Sequence, residues 1–454
     1  MTKQVTEREL VLAILMEVTQ QNVYSHLALN AVLEKYQYLE KKERAFITRV
    51  TEGTLEHMIE LDYILNQFSK VKVNKMKPVI RNILRSAVYQ LKYMDSVPDS
   101  AVCNEAVKLA VKKGFGTLRG FVNGVLRNVA RGLDQVEYPA EGIERLSVVY
   151  SMPEWILKLW KKTYDLDVIE SMLQAFQEET PVTIRCNLAK TTPENLKESL
   201  QKEGVTVTPH PYLSYAFWIQ DYDHLSELES FQKGEFYVQD ISSMLVGELA
   251  DPKKGDRVID VCAAPGGKAL HVAEKLRGTG SVEARDLSLY KVGLITENIE
   301  RSGLTNIHAV QKDATVCDAD VKDAADLVIA DLPCSGLGVL AKKTDLKYKA
   351  TEQGTKELAG LQREILKNAA SYVRPGGTLI YSTCTINPAE NIENVHWFLK
   401  EFPEFVLDPI ADRLCSTLQN SVEEAGCLQL LPGIHKSDGF LLPDSERNKR
   451  IEKG

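Results

Sequence analysis

The sequence feature that most constrains the fold is an alternation of short apolar segments and longer helical segments after Pro252. Periodic stretches such as 291–301 and 358–372 separate segments that have the composition of buried strands. This alternation is typical of an α/β domain with a parallel, doubly wound sheet, a Rossmann-like arrangement. The predicted strands are 257–261, 281–284, 306–310, 326–330 and 378–381.

The first third of the chain has a different pattern. Leu10, Ile14 and Val18 recur at intervals of four residues, and similar spacing continues to about residue 135, which predicts an all-α bundle. Periodicity is lost at 135–142, where Pro139 and a glycine indicate a linker. With strand-like segments at 182–185 and 216–219, these breaks predict three domains in the 454 residues: a helical domain at 1–140, a small α+β connector at 141–235 and the α/β domain at 236–454.

The charge is unevenly distributed. The net charge is −8, yet the stretches 71–92 and 106–132 each contain six Lys or Arg residues and no acidic residue. One such stretch is more often a solvated helix face, but two together favour a surface that contacts the phosphates of a nucleic acid. Hydrophobic residues make up 44% of the chain, which excludes a mainly disordered protein.

The sequence gives no support for a metal site, a signal peptide or a membrane span. The eight cysteines contain no Cys-x-x-Cys pair and the histidines no i, i+4 pair, so we predict no metal site. The longest early apolar run, 10–16, has only seven residues, follows Glu7-Arg8-Glu9 and has no small-residue cleavage site, so we predict neither a signal peptide nor a membrane span. We therefore expect a cytoplasmic protein that does not bind a membrane.

Residues suited to chemistry follow each predicted strand, where ligands bind in open α/β sheets. Asp286 follows the second strand, and its carboxylate suits the two hydroxyl groups of a ribose, which indicates a nucleoside ligand. The other candidates are a loop of small residues after the first strand (Cys262, Ala263, Ala264, Pro265, Gly266, Gly267 and Lys268), Asp313 after the third, Asp331 and Cys334 after the fourth, and Cys384 after the fifth.

Two common nucleotide-binding motifs do not fit this loop. A phosphate-binding Walker loop needs Ser or Thr after its lysine, and here Ala269 follows Lys268. A dinucleotide fingerprint needs three spaced glycines directly after a strand, and the loop has only Gly266 and Gly267. ATP and NAD are therefore disfavoured.

The runs 260–268 (DVCAAPGGK), 331–338 (DLPCSGLG) and 381–385 (YSTCT) resemble the hallmark motifs of the S-adenosylmethionine-dependent RNA 5-methylcytosine methyltransferases. The run 121–127 (FVNGVLR) resembles the NusB-type RNA-binding domain. Together they resemble the bacterial 16S rRNA cytosine-C5 methyltransferase B family over nearly the whole chain. This resemblance implies S-adenosylmethionine as cofactor and 16S rRNA as partner, naked or in a small-subunit assembly particle; we expect a monomer.

The resemblance also implies roles for individual residues. The loop 262–268 would line the methionine and nucleoside parts of the cofactor, Asp286 its ribose and Asp313 its adenine. Asp331 would lie between cofactor and cytosine. Cys384 would be the nucleophile and Cys334, or a group beside it, would help to remove the C5 proton. Carbon C5 of cytosine is a poor nucleophile until a soft thiolate adds to C6, so the reaction needs such a cysteine.

Other interpretations stay open at this stage. Cys334 of the Pro333-Cys334 pair is a rival nucleophile, Cys262 is more often a packing residue, and Asp286 and Asp313 could be helix caps. The chain could also be a tRNA cytosine methyltransferase, or an RNA-binding or antitermination factor without activity. We expect the remaining cysteines to be buried packing residues: Cys103, Cys186, Cys317, Cys415 and Cys427.

Two segments depart from the family pattern. The run 340–345 is less basic than the family's and lacks its proline. Near the end of the chain, Pro443 interrupts what is a long apolar strand in the family. A proline cannot donate to a β-ladder, so we expect the last strand to end there.

Overall fold

The computed structural model describes residues 5–424 and 426–448. The chain forms two compact units. The helical unit extends to Gln177 and also contains Leu340–Thr351, and the sheet unit contains Glu178–Val339 and the chain from Glu352 onwards. The predicted connector, 141–235, is thus divided between the two units, and the three-domain division remains a prediction.

The helical unit confirms the predicted bundle. Thr6 and Glu9 form a capping box at the start of the first helix, and Pro78 occupies the first turn of the fifth. The apolar faces meet in one core, in which Ile14 and Leu84 are fully buried. Its helices are α1 (Glu7–Gln20), α2 (Ser25–Lys35), α3 (Lys41–Glu56), α4 (Met58–Phe68), α5 (Pro78–Tyr93), α6 (Asp99–Lys112), α7 (Arg119–Gly132), α8 (Gly142–Val149), α9 (Glu154–Trp160) and α10 (Leu166–Gln177).

The sheet unit begins with a small four-stranded sheet in the order β2-β3-β1-β4. Both strands predicted there are present, and the pairs β1–β3, β1–β4 and β2–β3 are antiparallel. Arg185 of β1 is fully buried and donates to Glu274 at 3.0 Å, which ties this sheet to the rest of the unit. The elements are β1 (Val182–Cys186), α11 (Pro193–Lys202), β2 (Thr206–Pro209), β3 (Ala216–Gln220), α12 (Glu229–Gln232) and β4 (Phe236–Val238).

The large sheet contains all five predicted strands, in the order β11-β12-β13-β9-β8-β5-β6-β7. The pairs from β9 to β7 are parallel, as predicted, and β10 to β13 add antiparallel pairs at the other side. The elements are α13 (Ile241–Ala250), β5 (Arg257–Asp260), α14 (Gly267–Lys275), β6 (Ser281–Asp286), α15 (Leu289–Ser302), β7 (Ile307–Gln311), β8 (Ala325–Asp331), α16 (Leu346–Lys349), α17 (Glu352–Tyr372), β9 (Val373–Ser382), α18 (Ile392–Glu401), β10 (Phe405–Leu407), α19 (Ser416–Gln419), β11 (Val422–Glu424), β12 (Cys427–Leu430) and β13 (Phe440–Arg447).

This order places the candidate site. The chain runs from β5 outward to β6 and β7, then returns to the other side of β5 with β8 and β9. The direction of winding therefore reverses between β5 and β8. Ligands bind at such a reversal, at the carboxyl ends of the strands, and the motif loops follow β5, β8 and β9 at that edge.

The expectation that Pro443 ends the last strand is wrong. Strand β13 runs through it from Phe440 to Arg447. Its neighbours keep their hydrogen bonds: Leu441 exchanges two with Thr383, and the Asp444 N–H donates to the carbonyl of Gly426 at 2.9 Å. The proline thus removes a single donor from a strand that is paired on both sides, and this loss is too small to stop the strand.

The expected packing role of the remaining cysteines is confirmed for three of them. Cys103, Cys186 and Cys427 are buried, whereas Cys415 is half-buried. Cys317 is exposed in the loop after β7, so the expectation that it is buried is wrong. The loop passes over the surface at the edge of the sheet, where a single small side chain needs no cover.

The described residues contain neither a helix long and apolar enough to cross a membrane nor a cluster of three metal-ligating side chains.

Candidate active site

The centre of the site is a pair of cysteines at the reversal point of the large sheet. Cys334 follows β8 and Cys384 follows β9, and their sulfur atoms are 3.3 Å apart. Both side chains are half-buried. Because β8 and β9 are parallel neighbours, their carboxyl ends bring together two residues that are 50 positions apart in the sequence. The sequence predicted both candidates, and the structure brings them within hydrogen-bonding distance.

The two thiols are not equivalent. The hydrogen bond with Cys384, followed by burial, raises the pKa of Cys334 well above the ordinary cysteine value, so Cys334 carries a proton at neutral pH. Cys384 interacts electrostatically with the ammonium group of Lys268. A nearby cation and a donated hydrogen bond both favour a thiolate. The arrangement therefore favours Cys384 as the ionised member of the pair.

Lys268 points towards the cysteines rather than along the cofactor loop. Its ammonium donates to the Asp331 Oδ2 at 2.7 Å and to the Ser243 hydroxyl at 2.6 Å. The other Asp331 oxygen accepts from Ser382 at 2.7 Å. Burial opposes the charged form of Lys268, but Asp331, Asp260 and Cys384 together outweigh burial and raise the pKa of the lysine above its ordinary value. Asp331 and Lys268 thus form a fixed ion pair beside the thiols.

A buried carboxylate, Glu390, holds the loop that carries Cys334. It accepts hydrogen bonds from the backbone N–H and the hydroxyl of Ser335, at 2.8 and 2.5 Å, and from the amides of Gln362 and Asn387, at 3.1 and 2.8 Å. Its backbone carbonyl accepts from the Tyr381 hydroxyl. Glu390 is completely buried. The sequence analysis assigned no role to Glu390, although Pro388, Glu390 and Asn391 follow the Cys384 motif and belong to the family resemblance.

Two glycines allow the thiol loops to approach the start of β13. The Gly338 N–H donates to the carbonyl of Cys384 at 3.1 Å, and the Gly439 N–H donates to the carbonyl of Gly338 at 2.9 Å. A Cβ atom on Gly338 would lie 1.9 Å from the Gly439 oxygen, far inside van der Waals contact. Any side chain at this position would therefore separate the backbones and shift both thiol loops.

The loop after β5 leads directly into the start of α14. The Ala263 N–H donates to the carbonyl of Arg285 at 2.7 Å, which fixes the loop against β6. Gly266 has φ +105°, a conformation that favours glycine, and it begins the turn into the helix. Cys262 packs against the core below the sheet, in agreement with a packing role. Ala264 and Pro265 also lie in this loop, as predicted, and Gly267 is the first residue of α14.

The predicted ribose-binding residue, Asp286, is buried at the end of β6. It accepts from the Ser288 N–H at 3.3 Å and lies 3.5 Å from the Lys291 ammonium. The N-cap of α15 is Ser288, so Asp286 is not itself the cap.

The predicted adenine-binding residue, Asp313, is exposed after the edge strand β7. It accepts two hydrogen bonds from Thr315, which lower its pKa.

Asp260, at the end of β5, is a further buried acid. Its Oδ1 accepts from the Cys262 N–H at 3.3 Å, and its Oδ2 has no hydrogen-bond partner in the described part of the chain. Burial, followed by the neighbouring Asp331, raises its pKa to about 7. We call the carboxyl ends of β5 and β6 the cofactor edge of the sheet. A buried carboxylate oxygen without a hydrogen-bond partner at this edge is suited to a cationic or hydrogen-bond-donating ligand.

The basic stretches of the helical unit divide into structural and exposed charges. Lys112 pairs with the nearly buried Glu9 at 2.6 Å, and Lys92 with the buried Glu60 at 3.0 Å, so these two lysines neutralise internal acids. In the stretch 106–132, four basic side chains are exposed and make no ion pair within the part of the chain that the structure describes: Lys113, Arg119, Arg127 and Arg131. The surface available to a nucleic acid is therefore smaller than the sequence count indicates.

Comparison with known proteins gives family matches in three parts of the chain. The family described as 16S rRNA methyltransferase RsmB/F matches residues 248–444, the NusB family matches 5–131, and the ferredoxin-like domain of RsmF/B-like methyltransferases matches 152–222. A probable ribosomal RNA small subunit methyltransferase B of Bacillus subtilis is 36% identical over 443 residues, 97% of this chain and 98% of that protein. The chain belongs to the RsmB/F methyltransferase family. RsmB/F enzymes are S-adenosylmethionine-dependent, and the predicted cofactor is confirmed.

Two further comparisons cover the whole chain. A probable ribosomal RNA small subunit methyltransferase B of Synechocystis is 32% identical over 449 residues, 98% of this chain and 100% of that protein. The crystal structure of PH0851 superimposes with a TM-score of 0.82 at 25% identity and covers 98% of this chain and 99% of its own. The predicted architecture is thus confirmed: a NusB-like helical part, a ferredoxin-like connector and a Rossmann-like RsmB/F methyltransferase domain.

Proposed function

We propose that this RsmB/F-family enzyme methylates carbon C5 of a cytosine in 16S rRNA through a covalent bond between Cys384 and carbon C6. The observation that carries the proposal is the pair of sulfur atoms, 3.3 Å apart, at the reversal point of the sheet. Asp331 and Lys268 lie beside them as an ion pair. A methyltransferase acting on oxygen or an exocyclic nitrogen needs no cysteine pair, whereas a C5 methyltransferase needs one nucleophile and a second group to release the product.

The residues of the cofactor edge fit S-adenosylmethionine. Asp286 is a buried carboxylate suited to the ribose hydroxyls, and the unpartnered oxygen of Asp260 is suited to the ammonium group. The loop 262–268 offers small side chains and backbone groups to the ligand. Asp313, exposed after β7, would contact the adenine. When bound there, S-adenosylmethionine supplies the methyl group.

Cys384 begins the reaction by adding to cytosine. Its thiolate forms a bond to C6, and the electron pair of the C5–C6 double bond becomes available at C5, which can then accept a methyl group. Lys268 and the Cys334 thiol stabilise this thiolate before attack. The Asp331 carboxylate, fixed by Lys268 and Ser382, faces the amino edge of the base and orients the ring.

Cys334 acts in the second half of the reaction. The largest cause of its raised pKa is the hydrogen bond with Cys384, and this contribution ends when the Cys384 sulfur is bonded to C6. Cys334 is then easier to ionise. It releases its proton to solvent, the resulting thiolate accepts the proton from C5, the C5–C6 double bond re-forms, and the C6–S bond breaks to return Cys384 as a thiolate and Cys334 as a thiol.

The target cytosine must leave any base stack to reach both thiols, so the substrate is a flipped base or a nucleotide in a loop. The helical unit supplies RNA affinity through its exposed basic residues. The substrate is ribosomal RNA, naked or in an assembly particle, and the enzyme acts on it in the cytoplasm, as a monomer in this proposal.

The decisive test of this function is bisulfite sequencing of rRNA and tRNA from cells with and without the gene, and of rRNA incubated with the purified enzyme and S-adenosylmethionine. The proposal predicts one protected cytosine in 16S rRNA that depends on the enzyme. Protection confined to tRNA would identify a tRNA cytosine methyltransferase. No protected cytosine in either RNA would indicate an RNA-binding or antitermination factor without activity, or a different methylated atom.

A further inference from the structure

The helical unit contains a cavity of about 290 Å³ that the proposed reaction does not use. It is open to solvent on one side and is lined by helices α1 and α5, the junction of α3 and α4, and the segment Leu340–Thr351. A single water needs about 10–15 Å³ of such space, so the cavity has room for a group much larger than a water. Its charged lining residues are Arg81, Arg85, Asp345 and Lys349.

The segment Leu340–Thr351, which lines one side of this cavity, is hydrogen-bonded to helices of the same unit. Asp345 accepts from the backbone N–H and the hydroxyl of Ser25, at 3.0 and 2.7 Å. Lys347, which is buried, donates to the carbonyl of Glu56 at 2.9 Å, and Lys349 donates to the carbonyl of Val23 at 2.6 Å. The segment departs from the family pattern in sequence, and these contacts give it a defined place.

Three cations line the cavity, Arg81, Arg85 and Lys349, and among them only Arg81 makes no ion pair in the described part of the chain. Arg85 binds Asp62 with two hydrogen bonds, one of them 2.6 Å from Nε to Oδ1. Lys349 pairs with Asp345 at 2.9 Å. Arg81 has no ion pair in the described residues, and its buried Nε–H has no hydrogen-bond acceptor. Burial and the nearby Arg85 lower the pKa of Arg81, and Asp62, which is already hydrogen-bonded to Arg85, offsets them only in part.

We propose that this cavity binds a phosphate group, with the Arg81 guanidinium as its principal ligand. A guanidinium with an unpartnered N–H group matches the geometry of phosphate oxygens, and Arg85, whose charge is paired with Asp62, also lines the cavity. Arg81 and Arg85 belong to the acid-free stretch 71–92. The phosphate is either a phosphodiester of the RNA substrate or a free phosphate compound. The inference does not depend on the C5 chemistry.

The first measurement is titration of the full-length protein with inorganic phosphate, by calorimetry and by thermal melting, against chloride at equal ionic strength. The wild-type protein should bind phosphate and melt at a higher temperature in it. Arg81→Gln should weaken phosphate binding about tenfold or more, since it removes a charged hydrogen-bonding partner. Lys77→Gln is the matched control, because Lys77 is exposed one turn earlier and does not line the cavity.

The second measurement separates the two sources of phosphate. If the ligand is an RNA phosphodiester, Arg81→Gln should reduce the slope of log affinity against log salt for an rRNA fragment by about 0.7–0.9, and phosphate should compete with the RNA. An unchanged slope with loss of phosphate binding would assign a free phosphate compound.

The proposal is overturned if wild-type protein shows no difference between phosphate and chloride, or if Arg81→Gln binds phosphate as well as wild type does. Arg81→Lys provides a second variant that keeps the charge. It should retain part of the phosphate binding, and full retention would show that the planar guanidinium is not the ligand.

Discussion

The most informative single substitution in the sheet unit is Glu390→Gln. The carboxylate accepts four hydrogen bonds, two at each oxygen, from three different residues. Glutamine replaces one oxygen by an amino group, which would face two donors in either orientation. Two hydrogen bonds to a charged acceptor, each worth about 1.5–3 kcal/mol, are lost, while the cost of burying a charge disappears. We expect a net loss of roughly 2–4 kcal/mol in the free energy of unfolding.

The assay is denaturant or thermal unfolding of the full chain, combined with single-turnover methylation. A loss of 3 kcal/mol corresponds to a fall of about 6–12 °C in melting temperature for a unit of this size. Because Ser335 adjoins Cys334, the rate of methyl transfer should fall while affinity for S-adenosylmethionine is kept. Glu393→Gln, on the exposed side of α18, is the control and should change stability by less than about 0.5 kcal/mol. Equal stability and activity of Glu390→Gln and Glu393→Gln would refute the reasoning.

Three further predictions concern cofactor, RNA and pH. Asp286→Ala should weaken S-adenosylmethionine binding about 10- to 150-fold by calorimetry, and unchanged affinity would remove Asp286 from the site. Replacing Lys113, Arg119 and Arg127 by Ala should reduce RNA affinity and flatten its salt dependence; an unchanged slope would mark them as a solvated face. The pKa of Asp260 is raised to about 7 in the folded protein, against about 3.9 in an unfolded chain. Wild type should therefore lose stability relative to Asp260→Asn as pH rises from about 4 to 7, with no further loss above 8; a constant difference over this range would contradict the raised pKa.

The sequence was sufficient for the parallel sheet and for the two cysteines. Buried parallel strands are apolar along their whole length, so their positions follow from composition and spacing. The carboxyl ends of such strands share one edge, which is why Cys334 and Cys384 could be placed together before any coordinates. The spacing of apolar residues likewise predicted the helices of the bundle.

Features that depend on long-range pairing could not be predicted in this way. Pro443 is a strand breaker by local rules, and its effect is small here because partners on both sides hold β13. Glu390 has no local signature of burial, since three of its four hydrogen bonds come from Ser335 and Gln362, which are 55 and 28 residues away. From the sequence, Lys112 is expected to be a free surface charge. In the structure it pairs with Glu9, which is 103 residues away in the chain.

The central claim is that Cys384 forms the covalent bond to cytosine. The most direct measurement uses a 16S rRNA fragment that carries 5-fluorocytidine at the target, because fluorine at C5 prevents the final proton removal and traps the adduct. Enzyme, RNA and S-adenosylmethionine are incubated, the complex is digested, and the modified peptide is identified by mass spectrometry, with Cys384→Ser and Cys334→Ser in parallel. We predict a nucleotide on Cys384 in wild type and in Cys334→Ser, and no adduct in Cys384→Ser. A nucleotide on Cys334, or an adduct that persists in Cys384→Ser, would contradict the account.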